Sequence, residues 1–273
     1  MMSLDNVLSN KYMHSAGLIA AYFLALFRFK TSVDPKLLSA MNIDGYCILP
    51  DFFSENICNM LVECFDEREP LATVFDNDRR IFGMEKISDL HQHLFADSVF
   101  LKAIGDAHVG APQILIATMA AKLYAAPDKL GSGGGWHRDS FLPQYKAICY
   151  LTDVSEKNGP FEYVPGSHRL LPKVNFGLKA VTRDSANSTR YTQESIDEYC
   201  RTLGVESKFF VAKKGTVILC DTSGLHRGRP IMEGIRYALT NYYKSPRYFL
   251  DRRARKGKIY TYIDDTIHIS NEK

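Results

Sequence analysis

The sequence predicts a mainly β protein with flanking helices, an α+β chain built around a sandwich or barrel. From residue 114 onward, several short apolar runs of strand length alternate with turns rich in glycine and proline. The chain has 15 Tyr and 16 Phe against a single Trp, and such aromatic residues favour strands. Helical periodicity is restricted to segments before residue 110 and one segment near residue 200.

The individual elements follow from local patterns. Residues 41–50 predict a turn and a short strand. Ser54 is the expected N-cap of a helix over residues 53–69, which Pro70 ends. Residues 71–110 have no clean period except for a helix over 98–108. The strands that follow are predicted over residues 114–124, 145–152, 160–164, 209–211, 216–220 and 235–243.

Residues 170–208 form a long polar insertion between strands. One helix is predicted there, over residues 192–203, with Thr192 as its N-cap and Gly204 just beyond its end. An insertion of this length is often a binding loop or lid. Its basic residues fit an anionic substrate, and they fit a solvated face equally well; they are Lys173, Lys179, Arg183 and Arg190.

Composition limits the function classes. The 273 residues suit one large domain or two small ones. The net charge of +3 is too small to indicate nucleic acid as a partner. The six cysteines form no CxxC pair, which favours buried thiols in a reducing cytoplasm. A cytoplasmic location also suits a metal that must remain reduced.

The two ends of the chain carry distinct compositions. Residues 16–27 are an apolar run followed by Arg28 and Lys30, too short to span a bilayer and unlike a cleaved signal peptide. The alternatives are a helix packed on the domain and a helix peripheral to a membrane. We therefore divide the chain into an N-terminal helical segment (1–40), a main domain (41–250) and a basic C-terminal segment (251–273), which is a solvated tail or a lipid contact.

The most specific pattern is a set of metal-binding residue types. His137 and Asp139 are separated by one residue, so on a strand both side chains face the same side. With His226 they supply two imidazoles and a carboxylate, the ligand set of non-haem Fe(II) oxygenases, which leaves three octahedral positions open. Arg236 follows ten residues after His226 and is expected to bind the far carboxylate of a 2-oxo acid in a bidentate manner.

Four ordered blocks between residues 41 and 243 resemble the phytanoyl-CoA dioxygenase family of Fe(II)/2-oxoglutarate-dependent oxygenases. The blocks are residues 43–53, 136–139, 158–169 and 215–226, with Arg236 beyond. The resemblance implies a double-stranded β-helix (jelly roll) with iron at its mouth. It also implies that His137, Asp139 and His226 are the iron ligands and that Arg236 anchors 2-oxoglutarate.

Other residues are alternatives or additions at the co-substrate site. Arg227 and Arg229 compete with Arg236, but they lie in the turn after the ligand, whereas Arg236 begins an alternating strand. Tyr124 and Lys122, on the strand before the glycine-rich loop at residues 131–135, are further candidate contacts. That loop predicts either a mobile flap over the site or a plain hairpin.

The resemblance implies hydroxylation of a C–H bond with O2 as oxidant and release of succinate and CO2. Halogenating relatives lack the carboxylate ligand, so Asp139 favours a hydroxylase. The substrate is expected to be a small molecule, and an anionic or lipid-linked sugar is one alternative. A non-catalytic metal-binding jelly roll with a binding or regulatory role is the competing hypothesis. A metal hydrolase ranks last because no general base stands near the ligands.

Overall fold

The computed structural model describes residues 15, 16, 19, 32–129, 133–179 and 188–245. In these ranges ten strands form two antiparallel sheets, with five helices of nine or more residues around them. The strands are β1 Tyr46–Leu49, β2 Thr73–Phe75, β3 Asp78–Phe82, β4 Ile114–Tyr124, β5 Tyr145–Tyr150, β6 Phe161–Tyr163, β7 Lys208–Phe209, β8 Val217–Asp221, β9 His226–Gly228 and β10 Ile235–Lys244. The helices are α1 Pro35–Ile43, α2 Glu55–Arg68, α3 Val99–Val109, α4 Leu170–Lys179 and α5 Gln193–Leu203. Shorter helical segments are Glu69–Leu71, Met84–Lys86, Asp89–His91 and the π-helix Gln92–Ala96.

The two sheets have the topology of a jelly roll. The larger sheet has the strand order β1-β8-β5-β10-β4-β3-β2, and the smaller has the order β7-β6-β9. From β5 onward the chain passes back and forth between the sheets, because β5, β8 and β10 belong to the larger and β6, β7 and β9 to the smaller. The predicted double-stranded β-helix is therefore confirmed.

Strand register defines two faces of the larger sheet. Cys220, Lys146, Tyr242 and Ala117 are partners across four neighbouring strands, β8, β5, β10 and β4. Since side chains alternate along a strand, residues two positions away share the side of this row. Apolar members of the same face pack against the smaller sheet, as Ile218 does with Phe161. We call this side of the larger sheet the inner face.

The outer face packs on helices α2 and α3 and forms the main hydrophobic core. Leu239 of β10 packs in one buried cluster with Phe65 of α2 and Leu101 of α3. The Phe65 ring also meets the Tyr237 ring edge-on, with their centroids 5.8 Å apart. Each fully buried Leu or Phe contributes about 1.5–3 kcal/mol, so this layer holds the larger sheet rigid beneath the site.

Predicted helix ends agree with the structure. Ser54 caps α2 by accepting a hydrogen bond from the Ile57 backbone N–H. Thr192 caps α5 by accepting from Ser195 N–H, and Gly204 ends that helix with φ 64°. The predicted strands from residue 114 onward are also present; β4 agrees at both ends, and the ends of the others differ by at most two residues.

Several elements were not predicted individually, among them β9 and the shorter helical segments. Helix α1 extends to Ile43, where a turn was expected. Asp34 caps its start, and Pro35 is its first residue. Strands β2 and β3 pair with each other within residues 71–110. The sequence showed no strand period there because charged side chains occupy both faces of β3. The insertion at 170–208 contains α4 in addition to the predicted α5, although Pro172, Asn175 and Gly177 disfavour a helix.

The predictions for the chain ends lie almost entirely outside the described residues. Only residues 15, 16 and 19 of the N-terminal apolar region are described, and residues 246–273 are not. The choice between a packed helix and a membrane-surface helix therefore stays a prediction. Within the described ranges, no helix combines the length and apolarity that crossing a bilayer requires.

Candidate metal centre

The structure brings His137, Asp139 and His226 together beside β9. His137 and His226 donate to each other's carbonyls, and both hydrogen bonds are 2.9 Å long, so the two residues are directly opposite. Asp139 N–H donates to the Thr222 carbonyl at 2.9 Å, so the pairing of the two segments continues. One ligand atom of each of the three side chains lies within 4.8 Å of the other two. In the described part of the chain, no other His, Cys, Asp or Glu group of three has this geometry.

The two imidazole rings are oriented for metal binding. Nδ1 of His137 lies 2.8 Å from the Gly135 carbonyl oxygen, and Nδ1 of His226 lies 3.0 Å from that of Gly224. A carbonyl only accepts, so each Nδ1 carries the proton and each Nε2 presents its lone pair. Both Nε2 atoms are 3.7 Å from an Asp139 carboxylate oxygen. Donors with bond lengths of about 2.1 Å can share one ion at these separations.

The protonation states also suit a divalent metal. Burial, and to a lesser extent the neighbouring His137 ring, lowers the pKa of His226 to about 3. Burial likewise lowers the pKa of His137. Burial alone would raise the pKa of Asp139, but Lys146 and the two histidines hold it well below its usual value. Two neutral imidazoles and a carboxylate at neutral pH are the states that metal binding requires.

Lys146 is a member of the site that the sequence interpretation missed. Its ammonium nitrogen lies 2.7 Å from Oδ2 of Asp139 and 4.2 Å from the centroid of the Tyr242 ring. The residue is 8% exposed on the inner face of β5. A single lysine in the apolar strand 145–152 was the available signal, because a buried lysine needs an anionic partner.

Arg236 lies on the inner face of β10, opposite Leu123 of β4. It is 5% exposed, and its Nε has no hydrogen-bond partner among the described residues. Burial lowers the pKa of Arg236, while Tyr150 and Asp78 raise it. A buried guanidinium with an unsatisfied N–H is costly unless an anion binds there. This arrangement supports the predicted role in binding a carboxylate, which stays a prediction.

The competing arginines have other partners. Nε of Arg227 donates to Glu162 at 2.7 Å, and its guanidinium lies 4.6 Å from the Trp136 ring centroid. Arg229 is 3.8 Å from the same Glu162 carboxylate and stacks on Phe209. Because His226 and Arg227 are adjacent on β9, their side chains point to opposite sides.

Lys122 and Tyr124 are not brought to the site. Lys122 is the register partner of Tyr237, so it lies on the outer face of the sheet. Its ammonium is 2.7 Å from Glu69 and 2.9 Å from Asp66, and the Tyr124 hydroxyl donates to Glu69 at 3.1 Å. The expectation that these two residues contact the co-substrate is therefore corrected. Their alternation on β4 turns them toward α2 and the short helix after it.

The end of the glycine-rich loop lies against the metal ligands. Gly133 has φ +85°, and a Cβ there would be 2.5 Å from Cε1 of His137. Arg190 donates a hydrogen bond to the Gly133 carbonyl, and its backbone bridges to His137. Residues 130–132 lie outside the described ranges, so the choice between a flap and a hairpin stays open.

Asp221 organises the turn between β8 and β9. Its Oδ1 accepts hydrogen bonds from the Gln144 and Ser223 backbone N–H groups at 3.0 and 2.9 Å. Its Oδ2 lies 3.0 Å from Nε2 of His108. This buried carboxylate fixes the backbone of residues 221–223, and the Thr222 carbonyl in that turn holds Asp139.

The insertion forms a cavity of about 390 Å³ between α4 and α5. Phe176, Tyr191 and Tyr199 line it, and the Phe176 ring meets the other two edge-on. Lys179 and Arg190 line it as well. The other two candidate basic residues of the insertion are Lys173 and Arg183. Lys173 is buried and donates to the Phe141 carbonyl and the Ser223 hydroxyl, so it is not available to a ligand, and Arg183 lies outside the described residues.

A jelly roll with two imidazoles and a carboxylate at one point defines a class of protein, the non-haem iron oxygenases. The chain belongs to the phytanoyl-CoA dioxygenase (PhyH) family, whose model matches residues 41–233. It is therefore a 2-oxoglutarate-dependent non-haem iron enzyme, with Fe(II) as cofactor and 2-oxoglutarate as co-substrate. No curated protein matches the sequence significantly.

Solved structures confirm the fold at low sequence identity. EctD from S. alaskensis, solved with bound Fe, is 20% identical with a TM-score of 0.58, covering 84% of this chain and 88% of its own. HygX from Streptomyces hygroscopicus, solved with nickel, 2-oxoglutarate and hygromycin B, is 21% identical with a TM-score of 0.53, covering 78% and 88%. The epimerase SnoN from nogalamycin biosynthesis is 17% identical with a TM-score of 0.58, covering 77% and 82%.

Proposed function

We propose that this enzyme hydroxylates a C–H bond of an anionic small molecule. His137, Asp139 and His226 are the proposed Fe(II) ligands, and Arg236 is the proposed anchor of 2-oxoglutarate. The observation that carries the proposal is the convergence of two Nε2 atoms on the Asp139 carboxylate, each at 3.7 Å. When bound, the iron and 2-oxoglutarate supply the oxidising chemistry from O2, with succinate and CO2 as products.

The protein contributes position and charge. Each imidazole is fixed by a carbonyl that accepts its Nδ1–H, so the rings cannot turn away from the metal. These three side chains would hold the iron, and a set of only three protein ligands would leave room for the co-substrate and oxygen. Arg236 on the inner face matches a carboxylate with a planar pair of donors.

Asp139 favours hydroxylation over halogenation. A carboxylate that occupies a ligand position leaves no room for a halide there. The fold alone does not decide the outcome, because the solved relatives include an epimerase. Hydroxylation therefore needs a product assay in which oxygen insertion is measured directly.

The cavity between α4 and α5 supports an anionic substrate with an apolar part. Three aromatic rings offer the apolar surface, and the cations of Lys179 and Arg190 offer binding to an anion. Arg190 connects this cavity to the metal ligands through its backbone bridge to His137. Acidic sugars, including lipid-linked envelope sugars, and acyl thioesters both meet this description.

Two measurements test the proposal. Under argon, purified protein with Fe(II) and 2-oxoglutarate should develop a weak visible charge-transfer band that the His137→Ala variant lacks. In air, succinate release should be screened against envelope sugars, acyl-CoAs and amino acids, and the product should gain one oxygen atom from ¹⁸O2. A missing band in the wild-type protein contradicts the ligand assignment. Succinate release with an isomerised product and no added oxygen contradicts hydroxylation.

A further inference from the structure

Lys146 places a buried positive charge directly against a proposed metal ligand. Its ammonium is 2.7 Å from Oδ2 of Asp139, the oxygen that also lies 3.7 Å from Nε2 of His226, and Oδ1 lies 3.7 Å from Nε2 of His137. The lysine is 8% exposed, and its position is fixed by β5 on one side and by the Tyr242 ring on the other. The ammonium therefore has little freedom to leave the carboxylate for water.

Lys146 removes the net negative charge that Asp139 would otherwise give the metal site. At 2.7 Å, the ammonium of Lys146 offsets the negative charge of the Asp139 carboxylate before a metal binds. A divalent ion then enters a site that has no net negative charge to attract it. The metal and the ammonium repel each other strongly in this buried environment, since charge interactions weaken far less there than in water.

We propose that Lys146 is a positioning residue that holds the Asp139 carboxylate through Oδ2 and couples metal binding to the binding of an anionic co-substrate. The positive charge of Lys146 weakens the binding of the metal alone. It favours binding of the metal together with 2-oxoglutarate, because the co-substrate supplies the negative charge that the site lacks. This inference rests on the proposed ligands His137, Asp139 and His226.

The test compares metal affinity with and without the co-substrate. The dissociation constant of Mn²⁺ is measured under argon by electron paramagnetic resonance, in the absence and presence of saturating 2-oxoglutarate. Lys146→Met should bind Mn²⁺ alone about tenfold more tightly than the wild type. With 2-oxoglutarate present, the two proteins should agree within about threefold. The increase in Mn²⁺ affinity that 2-oxoglutarate causes is then smaller in the variant. By linkage, the increase in 2-oxoglutarate affinity that Mn²⁺ causes is smaller by the same factor.

Three further variants separate charge from other effects. Lys146→Gln removes the charge but can still donate to Asp139, so it should behave like Lys146→Met and covers the case in which that variant does not fold. Lys146→Arg keeps the charge and should retain the wild-type coupling. Lys122→Met removes a lysine from the outer face of the same sheet, where its partners are Asp66 and Glu69, and should leave both Mn²⁺ affinities unchanged.

The outcomes distinguish this inference from the proposed function. If both neutral Lys146 variants bind Mn²⁺ alone as the wild type does or more weakly, the coupling role is overturned while the ligand assignment stands. If the wild type itself binds no Mn²⁺ at the site, or binds it equally well after His226→Ala, the ligand assignment fails and the inference falls with it.

Discussion

Replacing Arg236 with methionine is expected to weaken 2-oxoglutarate binding by on the order of a hundredfold without unfolding the protein. The side chain is 5% exposed, and its Nε has no partner among the described residues, so a bound carboxylate would complete its hydrogen bonds. A charge-assisted hydrogen bond contributes about 1.5–3 kcal/mol. Losing two such bonds removes about 3 kcal/mol or more, and 1.4 kcal/mol corresponds to a factor of ten.

The thermal stability of the Arg236→Met variant should be retained although its affinity for 2-oxoglutarate falls. In the free protein, burial of a guanidinium with an unsatisfied N–H is a cost rather than a gain. Methionine fills a similar volume without that cost, so the thermal unfolding midpoint of the metal-free protein should not fall. Arg236→Lys keeps the charge but loses the planar pair of donors, and about a tenfold loss of affinity is expected.

Isothermal titration of 2-oxoglutarate into Mn²⁺-loaded protein under argon measures these affinities. Arg229→Met is the matched control, because Arg229 follows the same metal ligand but pairs with Glu162 and stacks on Phe209. A change of less than threefold in the dissociation constant of Arg236→Met contradicts the role of Arg236 as the anchor. An equal loss of affinity in Arg229→Met contradicts it as well.

Three other perturbations test the site and its surroundings. Gly133→Ala should lower metal affinity and stability, because its Cβ would come within 2.5 Å of His137 and alanine at φ +85° costs about 1–2 kcal/mol; metal titration and thermal melts check this. Burial, and to a lesser extent Arg68, lowers the pKa of His91 to about 4, below its unfolded value of 6.5, so the unfolded chain takes up the proton first. Stability should therefore fall by up to about 3 kcal/mol between pH 6.5 and 4, and His91→Gln should reduce that slope in urea melts. Lys122→Met should lower stability by about 1 kcal/mol and leave the dissociation constant of 2-oxoglutarate unchanged in the same titration.

Each of these predictions has its own control. Gly204 also has positive φ, and a Cβ there would meet nothing within 4 Å, so Gly204→Ala should lose stability but keep metal affinity. Equal metal loss in both glycine variants contradicts the steric argument. The exposed His93 is the control for acid stability, and His93→Gln should follow the wild-type curve. A clear loss of co-substrate affinity in Lys122→Met would restore that residue to the site.

Local patterns predicted much of this fold because several elements carry their own end signals. Ser54 and Thr192 are short polar side chains before amphipathic runs, and each caps its helix as expected. Strands β4 and β10 were found because their apolar runs are long. The β2–β3 hairpin was missed because its alternation mixes charged and apolar side chains, which only the neighbouring strand and helices explain.

The site was predictable to the extent that its chemistry is local. His137 and Asp139 face the same side because they are two residues apart on extended backbone, and this holds whatever the rest of the chain does. Arg236 was preferred over Arg227 and Arg229 by strand alternation, and the Glu162 contacts of the other two agree with that choice. Lys122 and Tyr124 were assigned wrongly because local alternation does not say which face of a strand is the inner one.

The sequence by itself determined the ligand types, their spacing and the class of metal that they suit, since these depend on residue identity and on strand geometry. Only the tertiary structure decided which lysine side chains lie at the metal site. Lys146 and Lys122 both lie on strands of one sheet, yet one contacts Asp139 and the other contacts α2. The physical reason is register: the pairing of β5, β10 and β4 places each lysine on a face, and that pairing joins segments far apart in the chain.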